Sequence, residues 1–208
     1  MKTKTKLLKT SNNSLAGEAG GPIDLSDPGI FWVNGVDEYF AKEFCSAVLR
    51  YSAVVPNRPI IMYIDSYGGE LHALMTMISV LDAVPNQLVT VSLGKAMSAG
   101  AALLSHGDIR FVSPNTRVMI HKVSAGTAGN IDDMNNEVIE SNEDNKSFLK
   151  LIAKNCKYKG GFPALDKMLS NSKCRDLYMN ADRCIEFGIA DQIGVPRVLD
   201  VTTHTIIY

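Results

Sequence analysis

From residue 29 onward, short apolar runs alternate with stretches whose apolar positions recur every three or four residues. Ile30-Phe31-Trp32-Val33 reads as a strand closed by the Asn34-Gly35 turn, and Phe40, Phe44, Val48 and Leu49 then fall on one face of a helix between Asp37 and Ser52. Pro56 and Pro59 bracket the way to a second strand, Ile60–Ile64, which ends in Asp65-Ser66-Tyr67-Gly68-Gly69. A helix starts at Glu70, turns Leu71, Leu74, Met75, Ile78 and Leu81 inward, and stops at Pro85. Leu88–Leu93 is β-branched and apolar, which suits a strand covered on both faces. It runs into a turn of mostly small residues, Gly94-Lys95-Ala96-Met97-Ser98-Ala99-Gly100, and the helix formers Ala101–Leu104 follow. The order β-α-β-α-β-α implies right-handed crossovers and a mainly parallel sheet, hence an α/β fold.

Phe111-Val112 and Arg117–Ile120 read as further strands around Ser113-Pro114-Asn115, and the second delivers His121 at its end. A long helical stretch opens at Gly126–Gly129 and runs to about Asn155, with Ile131, Met134, Val138 and Ile139 apolar, then Phe148, Leu149 and Ile152. Between them, Glu140–Ser147 is polar throughout. A helix that loses its apolar face midway is not packed on its own core along its whole length, so it projects from the body and meets a partner. After Gly160-Gly161 a short helix covers Leu165, Met168 and Leu169. Arg175–Met179 leads into Asn180, an N-cap for Ala181–Phe187, and Gly188 stops that helix. Residues 1–28, dense in Lys, Thr, Asn, Gly and Ser, read as a flexible arm, which leaves 29–208 as one domain.

Composition removes several function classes. With 208 residues, 46% hydrophobic and 21% charged, the chain suits a single core. A net charge of -1 and a pI near 6.4 provide no global field for nucleic acid or an anionic membrane. No apolar stretch reaches membrane-span length, and Leu7-Leu8 is too short for a signal h-region, so a cytoplasmic protein is expected. Cys45, Cys156, Cys174 and Cys184 form no CxxC pair or metal-ligand spacing, which suits reduced thiols and neither metal nor organic cofactor.

The chemistry centres on Ser98. A serine where a buried strand becomes a helix has its own and its neighbour's amide among the unpaired donors of a helix N-terminus, a place to hold an oxyanion. In parallel sheets working groups gather beyond the carboxyl ends of strands, where Gly68-Gly69 also lies. A nucleophilic serine needs a base within hydrogen-bond reach and a third group to orient that base. His106 lies about 12 Å along the same helix. His204 is in the tail, and His72 is a surface position on an amphipathic helix. His121 is the best candidate. For the orienting acid Asp176 is attractive at the head of an apolar segment, with Asp108, Asp132 and Asp133 still open.

Four blocks in register then resemble a known family: Ser66–Gly69, Gly94–Ala101, Pro114–His121 and Arg175–Met179. Together with Gly126, Gly129, Asp133 and Glu137, they look like the proteolytic subunit of the ATP-dependent Clp protease, from about Gly29 to Ile193. The resemblance implies a crotonase-like ββα spiral with a projecting handle helix, its region about 122–156, and a homo-oligomer of two stacked heptameric rings enclosing a chamber. It implies a serine endopeptidase acting on unfolded polypeptides, with Ser98 as nucleophile, His121 as general base and acid, Asp176 holding its tautomer, and the Gly69 and Ala99 amides as oxyanion hole. It also implies an ATP-driven AAA+ unfoldase as partner, although residues before Gly29 do not match the family's axial-loop segment.

Tyr67 stands where that family usually has proline, and Lys122-Val123 where it has glutamine and proline; a Lys122 pointing inward would repel the imidazolium of the base. These departures mark a divergent, or phage-encoded, member. Rival readings are a prohead-maturation protease of the same fold, a catalytically silent ring subunit, and acyl-CoA chemistry on the crotonase fold.

Overall fold

The computed structural model describes residues 29–124, 126, 129–171 and 175–196. The expected arm and the C-terminal tail lie outside the described residues, as does Cys174. The elements in chain order are β1 (Ile30–Val33), α1 (Glu38–Val54), β2 (Ile60–Ser66), α2 (Leu71–Ala83), β3 (Leu88–Met97), α3 (Ala99–Ser105) and β4 (Ile109–Val112). There follow β5 (Arg117–His121), α4 (Ile131–Asn155), α5 (Gly161–Leu169), β6 (Asp176–Met179), α6 (Ala181–Phe187) and β7 (Gln192–Ile193). Asp37 caps α1 by accepting through its carboxylate from Phe40 N at 2.7 Å, and the Asn180 side-chain Oδ1 caps α6 by accepting from Arg183 N at 3.0 Å. Gly188 ends α6 with φ 83°, a left-handed conformation that glycine adopts without strain.

Seven strands form a mixed sheet whose main path is β1-β2-β3-β4-β7, all in parallel, as the alternation of strands and helices predicts. β5 pairs with β3 in parallel and with β6 antiparallel. β3 is longer than expected: Val89–Ser92 pair with β4, and Lys95–Met97 pair with β5. Gly94 marks the change of partner, so the strand runs through the small-residue stretch and stops only at Ser98. The expected inner faces need two corrections. Met77, not Met75, is buried on α2, and Leu49 is exposed while Tyr51 and Ser52 complete the buried side of α1.

All seven residues of α3 are buried, against β2, β3 and β5 and beside α2 and α4. A short helix buried all round fixes its first residue rigidly. α4 divides as its pattern predicts: Phe148, Leu149, Ile152 and Ala153 join the core, while Ile131, Met134, Val138 and Ile139 are exposed. Cys156 and Cys184 are free thiols in this core, where burial pushes both up to about 12, so they stay protonated and inert near neutral pH.

Arg110 ties three distant segments together. Its guanidinium donates Nε–H to Asp191 Oδ2 at 2.9 Å and Nη2–H to Oδ1 at 2.5 Å, and Nη1–H to the carbonyls of Asn155 at 3.1 Å and Gly188 at 2.9 Å. The guanidinium bonds hold the Asp191 carboxyl below its usual range. A depressed native value contributes stability at neutral pH that is lost as pH falls through that value. Arg110→Met is therefore expected to cost about 2–4 kcal/mol, since it also orphans two carbonyls. Asp191→Asn should cost about 1 kcal/mol, because the carboxylate is 37% exposed and screened, and its effect should vanish in acid. Urea melts of both variants at neutral and acid pH check the order and the sign.

Candidate active site

Three strands deliver the site at their carboxyl ends. β2 ends at Ser66, after which Gly68 N donates to Ser66 Oγ at 3.0 Å and turns the chain. Gly68 and Gly69 both have positive φ, 100° and 151°. Val36 forms a parallel bridge with Gly69, its N–H donating to Gly68 O at 3.1 Å and its carbonyl accepting from Glu70 N at 2.7 Å. In a parallel ladder the residue between those two partners turns its own N–H the other way. The Gly69 amide accordingly has no acceptor among the described residues.

β3 ends at Met97, and Ser98 follows with φ 52° and ψ -119°. A non-glycine residue there costs about 1–3 kcal/mol and persists only where its surroundings over-determine it. Here they do. Ser98 N donates to Met119 O at 2.8 Å, and Ser98 O accepts from Ala101 N at 2.9 Å and Ala102 N at 3.2 Å. α3 starts so close to β2 that a side chain on Gly100 would sit 3.3 Å from Ser66 O. The Ala99 amide, first in α3, has no acceptor among the described residues either.

β5 aligns Val118 with Ala96 and Met119 with Met97, so His121 emerges two residues farther on, beside Ser98. Its Nε2 lies 2.8 Å from Ser98 Oγ, with both side chains half-buried. Asp176 lies directly opposite His121 in the β5–β6 pair. Opposed residues of an antiparallel pair place their Cβ atoms about 5 Å apart on one face. No hydrogen bond joins the two side chains in this conformation; both line a small pocket of about 400 Å³ together with Lys122 and Arg175. The other acids lie elsewhere: Asp108 accepts from Leu88 N at the far end of β3, and Asp132 and Asp133 belong to the first turn of α4.

Lys122 does not turn toward His121. Its ammonium donates to Asp166 at 2.8 Å and to Ser170 Oγ at 2.7 Å, anchoring the strand end to α5. Tyr67 is 74% exposed at the lip of the groove, with Lys95 Nζ 4.6 Å from its ring centroid. Ser98, His121, Gly69 and Ala99 all border one groove of about 900 Å³, whose other walls come from the start of α1 and from the inner face of α4. The sequence reading missed the Val36 brace and the α4 wall. The glycine pair signalled a close backbone approach without saying by which residue. Among the described residues no group of three or more His, Cys, Asp or Glu is placed to hold a metal ion, and no helix is long and apolar enough to cross a membrane.

The model of the Clp protease family matches residues 25–197. The chain is 34% identical over 170 residues to the ATP-dependent Clp protease proteolytic subunit 3 of Streptomyces coelicolor, covering 80% of this chain and 74% of that protein. It is 30% identical over 173 residues to the subunit of the same name from Rhodococcus jostii, covering 82% of each. With the chloroplastic proteolytic subunit 6 of Arabidopsis thaliana it shares 29% over 179 residues, 83% of this chain and 64% of that protein. The mixed α/β sheet with its long projecting helix is the crotonase-like arrangement that the four sequence blocks led one to expect. The matched stretch begins before β1 and ends after β7, so it takes in every described element around the groove, and the chain belongs to the Clp protease family.

Proposed function

We propose that this chain is a serine endopeptidase that cleaves unfolded polypeptides through an acyl-enzyme. The observation that carries the reading is the 2.8 Å contact between His121 Nε2 and a serine hydroxyl held on a strained strand-to-helix turn. Ser98 Oγ attacks the peptide carbonyl while His121 takes its proton, and His121 then gives that proton to the departing amine. The Gly69 and Ala99 amides, each without a protein acceptor among the described residues, receive the oxyanion. Water, deprotonated by His121, releases the acyl group in the second half-cycle. Asp176 acts from the facing strand by turning its carboxylate onto the remaining imidazole nitrogen, which fixes the tautomer that leaves Nε2 free to accept.

The names of the relatives, ATP-dependent proteolytic subunits, support a multi-subunit protease served by an ATPase. We take the assembly to be two stacked heptameric rings around a chamber, fed by an AAA+ unfoldase, in the cytoplasm. The exposed apolar residues Ile131, Met134, Val138 and Ile139 on α4 suit a surface buried between copies. A second reading, a ring subunit that does not cleave, is favoured by the missing hydrogen bond between Asp176 and His121. A fluorophosphonate probe decides between them. Labelling at Ser98, slowed about 10²-fold or more in Asp176→Asn, is the expected result. An unlabelled Ser98 in the assembled protein would favour the silent subunit.

A further inference from the structure

We infer that the groove beside Ser98 selects a basic residue, Lys or Arg, at the position whose carbonyl is attacked; this rests on the serine-peptidase reading and names what that same site takes. Five carboxylates line the groove: Asp37, Glu38 and Glu70 on the side of α1 and α2, and Glu137 and Asp144 on α4. Among its described lining residues there is no Lys or Arg. None of the five carboxylates belongs to an ion pair among the described residues. The nearby lysines of α4 are turned to other partners, Lys146 to Glu143 at 2.5 Å and Lys150 to the Phe162 ring at 5.9 Å. A concave wall of one sign focuses its field on whatever enters.

The shape of the groove sharpens this from a cation to a long basic side chain. Glu137, Ser141, Asp144 and Phe148 follow one another at helical spacing along the single stripe of α4 that faces the groove. Phe148, only 3% exposed, gives an apolar floor, and Asp144 stands half-buried one turn above it. The methylenes of Lys or Arg lie along such a floor while the charged head meets the carboxylates above. A leucine would fit the floor and desolvate the carboxylates without pairing them, and a glutamate would meet like charge. The polar stretch Glu140–Ser147 thus contributes Ser141 and Asp144 to substrate binding, besides marking where the helix leaves the core.

The test uses the assembled protein and a set of fluorogenic peptides identical except for Arg, Lys, Leu or Glu at the residue before the scissile bond. The expected kcat/KM for Arg and Lys exceeds that for Leu by about tenfold or more, and the ratio shrinks with added salt. In the Asp144→Asn/Glu137→Gln double variant that ratio falls by about tenfold, a comparison within one enzyme that cancels losses of folding. Glu143→Gln, outside the groove, leaves the ratio unchanged. A preference for Leu or Glu, or a ratio that the double variant does not move, overturns the inference. Fluorophosphonate labelling keeps the two claims apart. Labelled Ser98 without a basic preference removes this inference alone, whereas unlabelled Ser98 removes both.

Discussion

Ser98→Ala is expected to lower peptide turnover by at least about 10³-fold while leaving a folded protein. The substitution removes the hydroxyl placed 2.8 Å from His121 Nε2 and keeps the Cβ, so the groove retains its walls. Alanine at φ 52° bears the same backbone strain as serine, and the turn is held by main-chain bonds to Met119, Ala101 and Ala102 that need no hydroxyl. Stability should therefore change by no more than about 1 kcal/mol, the worth of one hydrogen bond. Ser98→Gly separates the two effects further. It relieves the left-handed strain and should melt higher than the alanine variant, yet be equally inactive. Fluorogenic-peptide turnover and thermal melts of the three proteins check this, and turnover retained in Ser98→Ala would remove the proposed nucleophile.

Gly69→Ala is the second large effect, and it acts through the backbone. At φ 151° an alanine Cβ would sit 1.9 Å from the Val36 carbonyl oxygen and 2.7 Å from its carbon. Real contacts of that kind do not occur, so the bridge to Val36 must open, releasing the two bonds that aim the Gly69 amide. Strain of this backbone class and two lost hydrogen bonds amount to about 3 kcal/mol or more. Loss of the proposed oxyanion donor is expected to cost a further factor of about 10²–10³ in kcat. Gly35→Ala, where a Cβ meets nothing within 4 Å, should be near neutral by both measures. Melting temperature and kcat for the pair check the contrast.

The parts of the molecule that the sequence made legible are those encoded locally. A β-branched run, an amphipathic stretch and a glycine-rich stop recur often enough to order the parallel strands, and strand ends then bring Ser98, His121 and Gly69 to one side of the sheet. Partner choice is not local. Nothing in Leu88–Met97 announces that its first half pairs with β4 and its second half with β5, so the strand was expected to end four residues early, at Leu93. The antiparallel pairing that sets Asp176 against His121, the Val36 bridge and the Arg110–Asp191 clasp all join segments far apart in the chain. The orientation of Lys122 depends on α5, whose place against the strand end no periodicity discloses.

The split pairing of β3 has a consequence for how the site tolerates change. Because Ala96 and Met97 are laced to Val118 and Met119 by main-chain bonds, the interval from Ser98 to His121 is a backbone measurement, as if marked on a ruler. Side chains around it, such as Tyr67 at the lip or the acids on the opposite wall, can drift with the diet of the enzyme while that interval stays fixed. What the protein cuts is written in replaceable lettering on a frame that keeps its spacing.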